Sequence, residues 1–300
     1  MNKCTILGAN GYIARNFIKW CENNGIHKEY YFYDRDEYQK DKKKSYFSMD
    51  LTKVDCWGSV KVDVDTIYVF AGMSGTYASF DKPQMFLKSN ELIIVNLLNQ
   101  YVRSNSNARI IFLSSRLVYK GSSQPIFEDG QKECKTVYAA SKLACEHYLE
   151  AYHAHYRVPY ITLRVPVVYG SLIKNAEASS YGIINYMNKL AAKGEPIMVF
   201  GEGTQKRTIS HIEDLAAILH LCGTSERHES GVFNVGGETL SIRQIAWGLS
   251  KKYGVEIINK PWTKEYEALE SGDTVFNANR LETLMQYKPQ KKFSEWLSTL

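Results

Sequence analysis

The feature that most limits what this chain can become is a glycine turn between a short apolar run and a helical one. Residues 4–7 are apolar or β-branched, and Gly8-Ala9-Asn10-Gly11-Tyr12-Ile13-Ala14 then opens a segment, 11–22, with apolar residues at helical spacing. Gly8 permits a tight turn, Gly11 lets backbone approach an anion at a helix N-terminus, and Ala14 fits where helix and strand pack closely. Such turns join strands to helices in many folds, so the elements downstream matter more. Residues 30–33, 67–71, 110–114 and 160–165 read as further strands, and 84–103 and 136–156 as helices. Strand and helix in alternation predict an α/β fold, a Rossmann-type doubly wound parallel sheet covered on both faces.

Past Gly170 the rhythm changes. A polar stretch runs through Ser180, a helix comes near 183–193, short strands near 197–200 and 208–209, and then more helices. The expected division is a cofactor-binding domain over 1–170 and a smaller substrate-binding lobe over 171–300, with a strand near 232–236 returning to the main sheet.

Composition narrows the function classes. With 44% hydrophobic and 23% charged residues the chain has the makeup of a folded globular protein. The start has no apolar core with a small-residue cleavage site, and no later run has the length of a bilayer span. A cytoplasmic protein with no membrane partner is therefore expected. Six scattered cysteines, Cys4, Cys21, Cys56, Cys134, Cys145 and Cys222, suit free thiols, with Cys145 a packed small side chain. A net charge of +5 is modest. The cluster from Lys40 to Lys44 reads as a solvated loop, and no basic stripe with interleaved aromatics calls for a nucleic-acid partner. The excess suits a small anionic substrate better. His153 and His155 are two apart and point to different helix sides, so no metal site is expected.

Asp34 closes the second strand about 20 residues beyond the glycines, where a carboxylate accepts hydrogen bonds from an adenosine ribose. That favours NAD, while the neighbouring Arg35 leaves NADP open as the pairing for an extra phosphate. Asp50 and Leu51 come after the third strand, where an adenine would lie, and Phe70-Ala71-Gly72 ends the fourth with residues that allow close approach. The sharper signal is Tyr138-Ala139-Ala140-Ser141-Lys142 on a helix, preceded by Ser114-Ser115-Arg116-Leu117-Val118-Tyr119 at a strand end. Residues four apart share a helix face, so Tyr138 and Lys142 can meet one ligand. Moving a hydride from an alcohol carbon to nicotinamide also requires a proton to leave the oxygen. Tyr138 is the candidate carrier. A phenol with a pKa of about 10 needs positive charge nearby to act as a base, which Lys142 and an oxidised nicotinamide supply. Ser115 is suited to hold the substrate oxygen.

With these residues in order, the sequence resembles the extended short-chain dehydrogenases, or NAD-dependent epimerase/dehydratase family. The likeness runs along nearly the whole chain. It includes the glycine turn, Asp34, Ala71-Gly72, Lys82-Pro83 with Asn90, Ser115 to Tyr119, and Tyr138 with Lys142. It continues through Leu163-Arg164-Val165-Pro166-Val167-Val168-Tyr169-Gly170, Val199-Phe200-Gly201-Glu202-Gly203, Arg207, His211-Ile212-Glu213-Asp214 and Asn234-Val235-Gly236-Gly237. The resemblance implies a nucleotide-sugar substrate and a homodimer built through helices near 84–103 and 136–156. It adds Tyr12, Ile13, Asn90 and Val165 to the cofactor contacts, and Arg116, Val167, Phe200 and Arg207 to the substrate contacts.

Family dehydratases carry an Asp-Glu pair directly after the Ser/Thr, and here those places hold Arg116 and Leu117, which disfavours dehydration. Epimerisation by transient hydride transfer is the leading expectation. The alternatives are an NADP-dependent reductase of a nucleotide-linked keto sugar and a non-catalytic Rossmann protein that senses NAD(P) or binds RNA. Arg207 matches the family position that pairs with a substrate phosphate. Two places depart from the family: Val167 stands where many relatives have Asn, and Glu270 where many have a second phosphate-binding Arg. A carboxylate there repels a diphosphate, so either the loop is rearranged or the substrate is unusual, and Arg116 is the residue placed to compensate.

Overall fold

A computed structural model describes residues 3–36, 45–173, 182–227 and 229–300. The basic cluster at 40–44 and the stretch around Ser180 lie outside the described residues.

Strands β1 (Lys3–Leu7), β2 (Glu29–Asp34), β3 (Ser45–Ser48), β4 (Thr66–Val69), β5 (Arg109–Ser115) and β6 (Tyr160–Val165) all pair in parallel. After β7 (Val167–Tyr169), β8 (Ile197–Phe200) and β9 (Lys206–His211), β10 (Gly231–Asn234) returns beside β6. The sheet order is β10-β6-β5-β4-β1-β2-β3, and the order reverses between β1 and β4, where open α/β sheets leave a crevice for ligands.

The apolar runs alternate faces with period two, so neighbours enter different cores. Tyr68, Ile111 and Leu113 pack with helices α1 (Tyr12–Asn23) and, further along, Ile212–Thr224. Ile67, Val69, Ile110 and Phe112 pack on the opposite face. Short helices α2 (Ala78–Asp81) and α3 (Pro83–Phe86) lead into that face, which α4 (Ile93–Arg103) and α5 (Val137–Tyr156) cover. Both faces are covered, so the strands read as continuous hydrophobic runs rather than alternating ones.

The helix expected over 84–103 is not uniform. Residues Leu87–Leu92 form a π-helical turn between α3 and α4, which carries Asn90 toward the end of β4. The fourth strand also stops earlier than expected, at Val69. Phe70 and Ala71 both donate to the Leu7 carbonyl, at 2.8 and 2.7 Å, and the chain there leaves the sheet.

A second core gathers Tyr169, Ile184, Met187, Ile197, Val199, Ile209, Ile242, Ile245 and Leu249. Its helices are α6 (Ile183–Ala191) and, after α7 (Ile212–Thr224), α8 (Ile242–Tyr253). Its sheets are β11-β9-β7 and β12-β8, with β11 (Glu238–Ser241) and β12 (Ile257–Lys260). Within 171–300, however, α7, β10, Leu281 and Met285 pack with the main sheet, so the lobes interleave along the chain.

Candidate active site

At the glycine turn, Gly8 adopts φ +84°, and a Cβ there would meet the Ala71 nitrogen at 2.4 Å. Glycine is thus required both by backbone conformation and by close approach to the end of β4. Gly11 caps α1 without a side chain, and no acidic residue stands in the first turn, so the helix N-terminus is a ready site for a phosphate. Asp34 accepts from the Asn10 N–H at 2.9 Å and the Arg35 N–H at 2.7 Å, one on each oxygen. Each oxygen keeps lone-pair capacity for a ribose hydroxyl.

The groove above these residues is lined by Gly8, Gly11, Asp34, Asp50, Leu51, Phe70, Ala71 and Gly72, all singled out in the sequence. Arg35 lines it too. Asn10, Met49, Thr52, Met73, Ser89 and Ile93 complete the wall and carry no sequence signal beyond lying next to the motifs. Burial acts to raise the Asp50 carboxyl, but hydrogen bonds from the Thr52 hydroxyl and N–H outweigh it and hold the group below its usual range.

Asn90, expected at the cofactor, does not reach the groove wall. It is buried, accepts from the Met73 N–H at 2.7 Å, and donates to the Ser141 hydroxyl at 2.8 Å. It ties the Gly72–Met73 backbone to α5 and so positions the groove from beneath. A Cβ at Gly72 would lie 2.7 Å from the Asn90 amide oxygen and 3.7 Å from Lys142 Nζ.

The groove opens into a second chamber. Gly11, Phe70, Gly72 and Met73 belong to both, and Tyr12, Ile13, Ser115, Arg116, Tyr138, Lys142, Val165 and Val167 line the second. The three candidate catalytic residues therefore share one cavity with the end of the dinucleotide groove. Ser115 Oγ accepts from the Leu117 N–H at 3.2 Å, which leaves its own proton to donate. The Tyr138 ring meets Phe86 edge-on at 6.3 Å between centroids. Lys142 Nζ lies 4.7 Å from the Phe112 ring centroid, and burial pushes its pKa down from the ordinary lysine value.

Beneath the chamber Glu146 and Arg164 form a buried ion pair at 2.5 Å, and Ser114 donates to the same carboxylate. Arg164 also donates to Tyr119 Oη at 2.6 Å, which in turn donates to Asn234 at 2.7 Å. This satisfied network ties β5, β6, α5 and β10 into a rigid floor; removing one partner leaves a buried charge, a loss of about 3–5 kcal/mol.

Toward the second lobe the cavity continues past Arg116, Leu117 and Val167 into a chamber lined by Phe200, Arg207, Glu270 and several aromatics. Phe200 stacks on Tyr266 at 4.6 Å and on Trp262 at 5.3 Å, and Tyr266 meets Tyr77 edge-on at 4.6 Å. Only Phe200 of this aromatic wall was legible in the sequence, because its members come from segments far apart in the chain. Arg207 is buried and pairs with Glu270 at 2.5 Å while donating to the Gly272 and Lys206 carbonyls. Glu270 thus faces the guanidinium expected to hold a phosphate and neutralises it.

Burial and the nearby Arg207 push Arg116 down to about 9, which still leaves it protonated at neutral pH. All six cysteines are free thiols, and Cys145 is packed in the core as expected. Among the described residues no cluster of His, Cys, Asp or Glu is arranged to hold a metal ion, and no helix is long and apolar enough to cross a membrane.

Known proteins resemble this chain along most of its length. The sequence model of the NAD dependent epimerase/dehydratase family matches residues 4–236. A UDP-glucuronate 4-epimerase from Thermodesulfobacterium geofontis is 25% identical over 273 residues, covering 87% of this chain and 79% of that protein. A dTDP-4-dehydro-6-deoxy-D-allose reductase from a Streptomyces species is 27% identical over 259 residues, covering 80% of this chain and 78% of its own. Among solved structures, a UDP-glucuronic acid 4-epimerase from Bacillus cereus, in complex with UDP-glucuronic acid and NAD, superposes with a TM-score of 0.85. It is 22% identical, and the match covers 99% of this chain and 96% of that one.

Proposed function

The chain belongs to the NAD dependent epimerase/dehydratase family, which makes NAD its cofactor, and from that premise we propose that it is a nucleotide-sugar epimerase. One observation carries the reading: Ser115, Tyr138 and Lys142 open on the cavity that continues the cofactor groove, while Arg116 and Leu117 come directly after Ser115 where a dehydratase needs carboxylates. NAD, when bound, supplies the carbon that accepts a hydride from the sugar and returns it.

The chain's own residues handle everything else. The Gly8–Gly11 turn holds the pyrophosphate of the dinucleotide and Asp34 its adenosine ribose. Ser115 Oγ donates to the reacting sugar oxygen, and Tyr138 Oη takes that oxygen's proton and later restores it. Lys142, desolvated beside them, favours the anionic phenol when charged. The aromatic wall around Phe200 offers a face to the nucleotide base. Relatives include UDP-glucuronate 4-epimerases, so UDP-linked sugars are the first substrates to try. A homodimer belongs to the same reading, supported by the exposed apolar Met85, Leu87 and Tyr156 around the α4–α5 face.

The test is to denature the purified protein and identify the nicotinamide released, then to incubate fresh protein with UDP-, dTDP-, GDP- and CDP-sugars. Retained NAD with redox-neutral interconversion of two sugars is the expected result. An empty site, with NADPH consumed by a keto sugar, would replace the epimerase with a reductase.

A further inference from the structure

Two guanidinium groups stand between the catalytic chamber and the aromatic one, and their surroundings differ. Arg207 pairs with Glu270 at 2.5 Å and donates to two carbonyls, so its charge and three of its five donors are taken up inside the protein. Arg116 lines both chambers. Among the described residues it makes one long hydrogen bond, to Thr274 Oγ1 at 3.3 Å, and has no carboxylate within 4.0 Å. A guanidinium carries five N–H donors, so most of those on Arg116 are left for a ligand. It is also partly buried and has no ion pair at contact distance, Glu270 acting on it only from further off, and such a cation gains much from an arriving oxyanion.

We propose that Arg116, not Arg207, receives the anionic group of the substrate: a carboxylate or phosphate oxyanion carried close to the reacting carbon. This rests on the nucleotide-sugar reading and deepens it. Glu270 pairs at contact with Arg207 and reaches Arg116 only at longer range, so the arginine without a contact ion pair lies beside Ser115 and Tyr138 rather than deep in the second lobe. Anion recognition has moved along the cleft toward the chemistry, so Arg116 selects for substrates whose negative charge comes within its reach.

Calorimetric binding to the NAD-loaded protein tests this with UDP, UDP-glucose and UDP-glucuronic acid, comparing wild type with Arg116→Gln, Arg116→Lys and Arg207→Gln. Loss of a charge-assisted fork predicts affinity about 10- to 100-fold weaker in Arg116→Gln. A loss shared by all three ligands identifies the diphosphate as the anion, and a loss confined to UDP-glucuronic acid identifies the sugar carboxylate. Arg116→Lys, which keeps the charge, recovers part of the loss, an effect that a purely structural role would not produce. Arg116→Gln affinities within twofold of wild type on every ligand, or a larger loss in Arg207→Gln, overturn the proposal. Because binding is read without turnover, a wild type that binds but does not interconvert sugars removes the epimerase reading alone. A wild type that binds none of the three overturns both.

Discussion

The two ends of the cleft are built by different means. The cofactor end is made of contiguous turns, where Gly8 lies against Ala71 because β1 and β4 are neighbours, Asp34 closes β2 and Asp50 follows β3. The end proposed for the substrate is made of residues that the fold brings together from afar: Tyr77, Phe200, Arg207, Trp262, Tyr266 and Glu270. At the first end the backbone itself forms the site, so site and scaffold cannot be changed separately. At the second the site is a lining of side chains, and it can change while the scaffold stays.

The sharpest probe lies where the two ends meet. Tyr138→Phe removes the proton carrier and should lower kcat by roughly 10²–10⁴-fold, with NAD content after purification unchanged. Full activity in that variant would end the catalytic assignment. At the cofactor end, Gly8→Ala combines a positive φ with a clash against backbone and should destabilise by about 3 kcal/mol, with NAD lost in parallel. A melting curve and a nicotinamide assay on the same sample check whether the two losses travel together; a stable protein that has lost NAD would separate what the comparison joins. At the substrate end, Tyr266→Ala removes a ring stacked on Phe200 and should weaken nucleotide binding by about 1 kcal/mol while the melting temperature hardly moves. A large drop in melting temperature there would break the contrast.

The smallest effect concerns pH. Burial lowers the His211 pKa, and its Nδ1 accepts from the Glu213 N–H at 3.3 Å where β9 hands over to α7. Between its ordinary value of about 6.5 and the lower folded one, the unfolded chain binds more protons, so stability falls as pH drops through that window. His211→Asn keeps an acceptor for the helix cap and should flatten the decline, leaving the part due to His220, which burial shifts the same way. Thermal melts from pH 7.5 down to 5.5 measure it, and an unchanged slope would assign the acid sensitivity elsewhere.

The same contrast governs how much of the molecule is legible in the sequence. Gly8, Gly11 and Asp34 stand out because turn chemistry is local, and Tyr138 with Lys142 because one helix fixes their spacing. Asn90 carries a family signal, but the sequence does not show its protein partners. Its placement depends on a π-turn that no sequence periodicity announces, and its side chain ends on Met73 and Ser141 instead of the groove. Glu270 is recognisable in the sequence as a misfit to a diphosphate. That it neutralises Arg207 across a gap of 63 residues is visible only once the fold has closed that distance.

The interleaving of the lobes has one more consequence. The chain passes from the main sheet to the second core after β6, returns at α7 and β10, leaves again at β11, and comes back near Asn279. Tyr12 Oη fastens the seam by donating to the Gly170 carbonyl at 2.6 Å. No single crossover in a gene could therefore exchange the substrate lobe for another as a cassette. A change of specificity that keeps this scaffold is open to single side chains along the cleft, as the carboxylate at position 270 set against Arg207 illustrates.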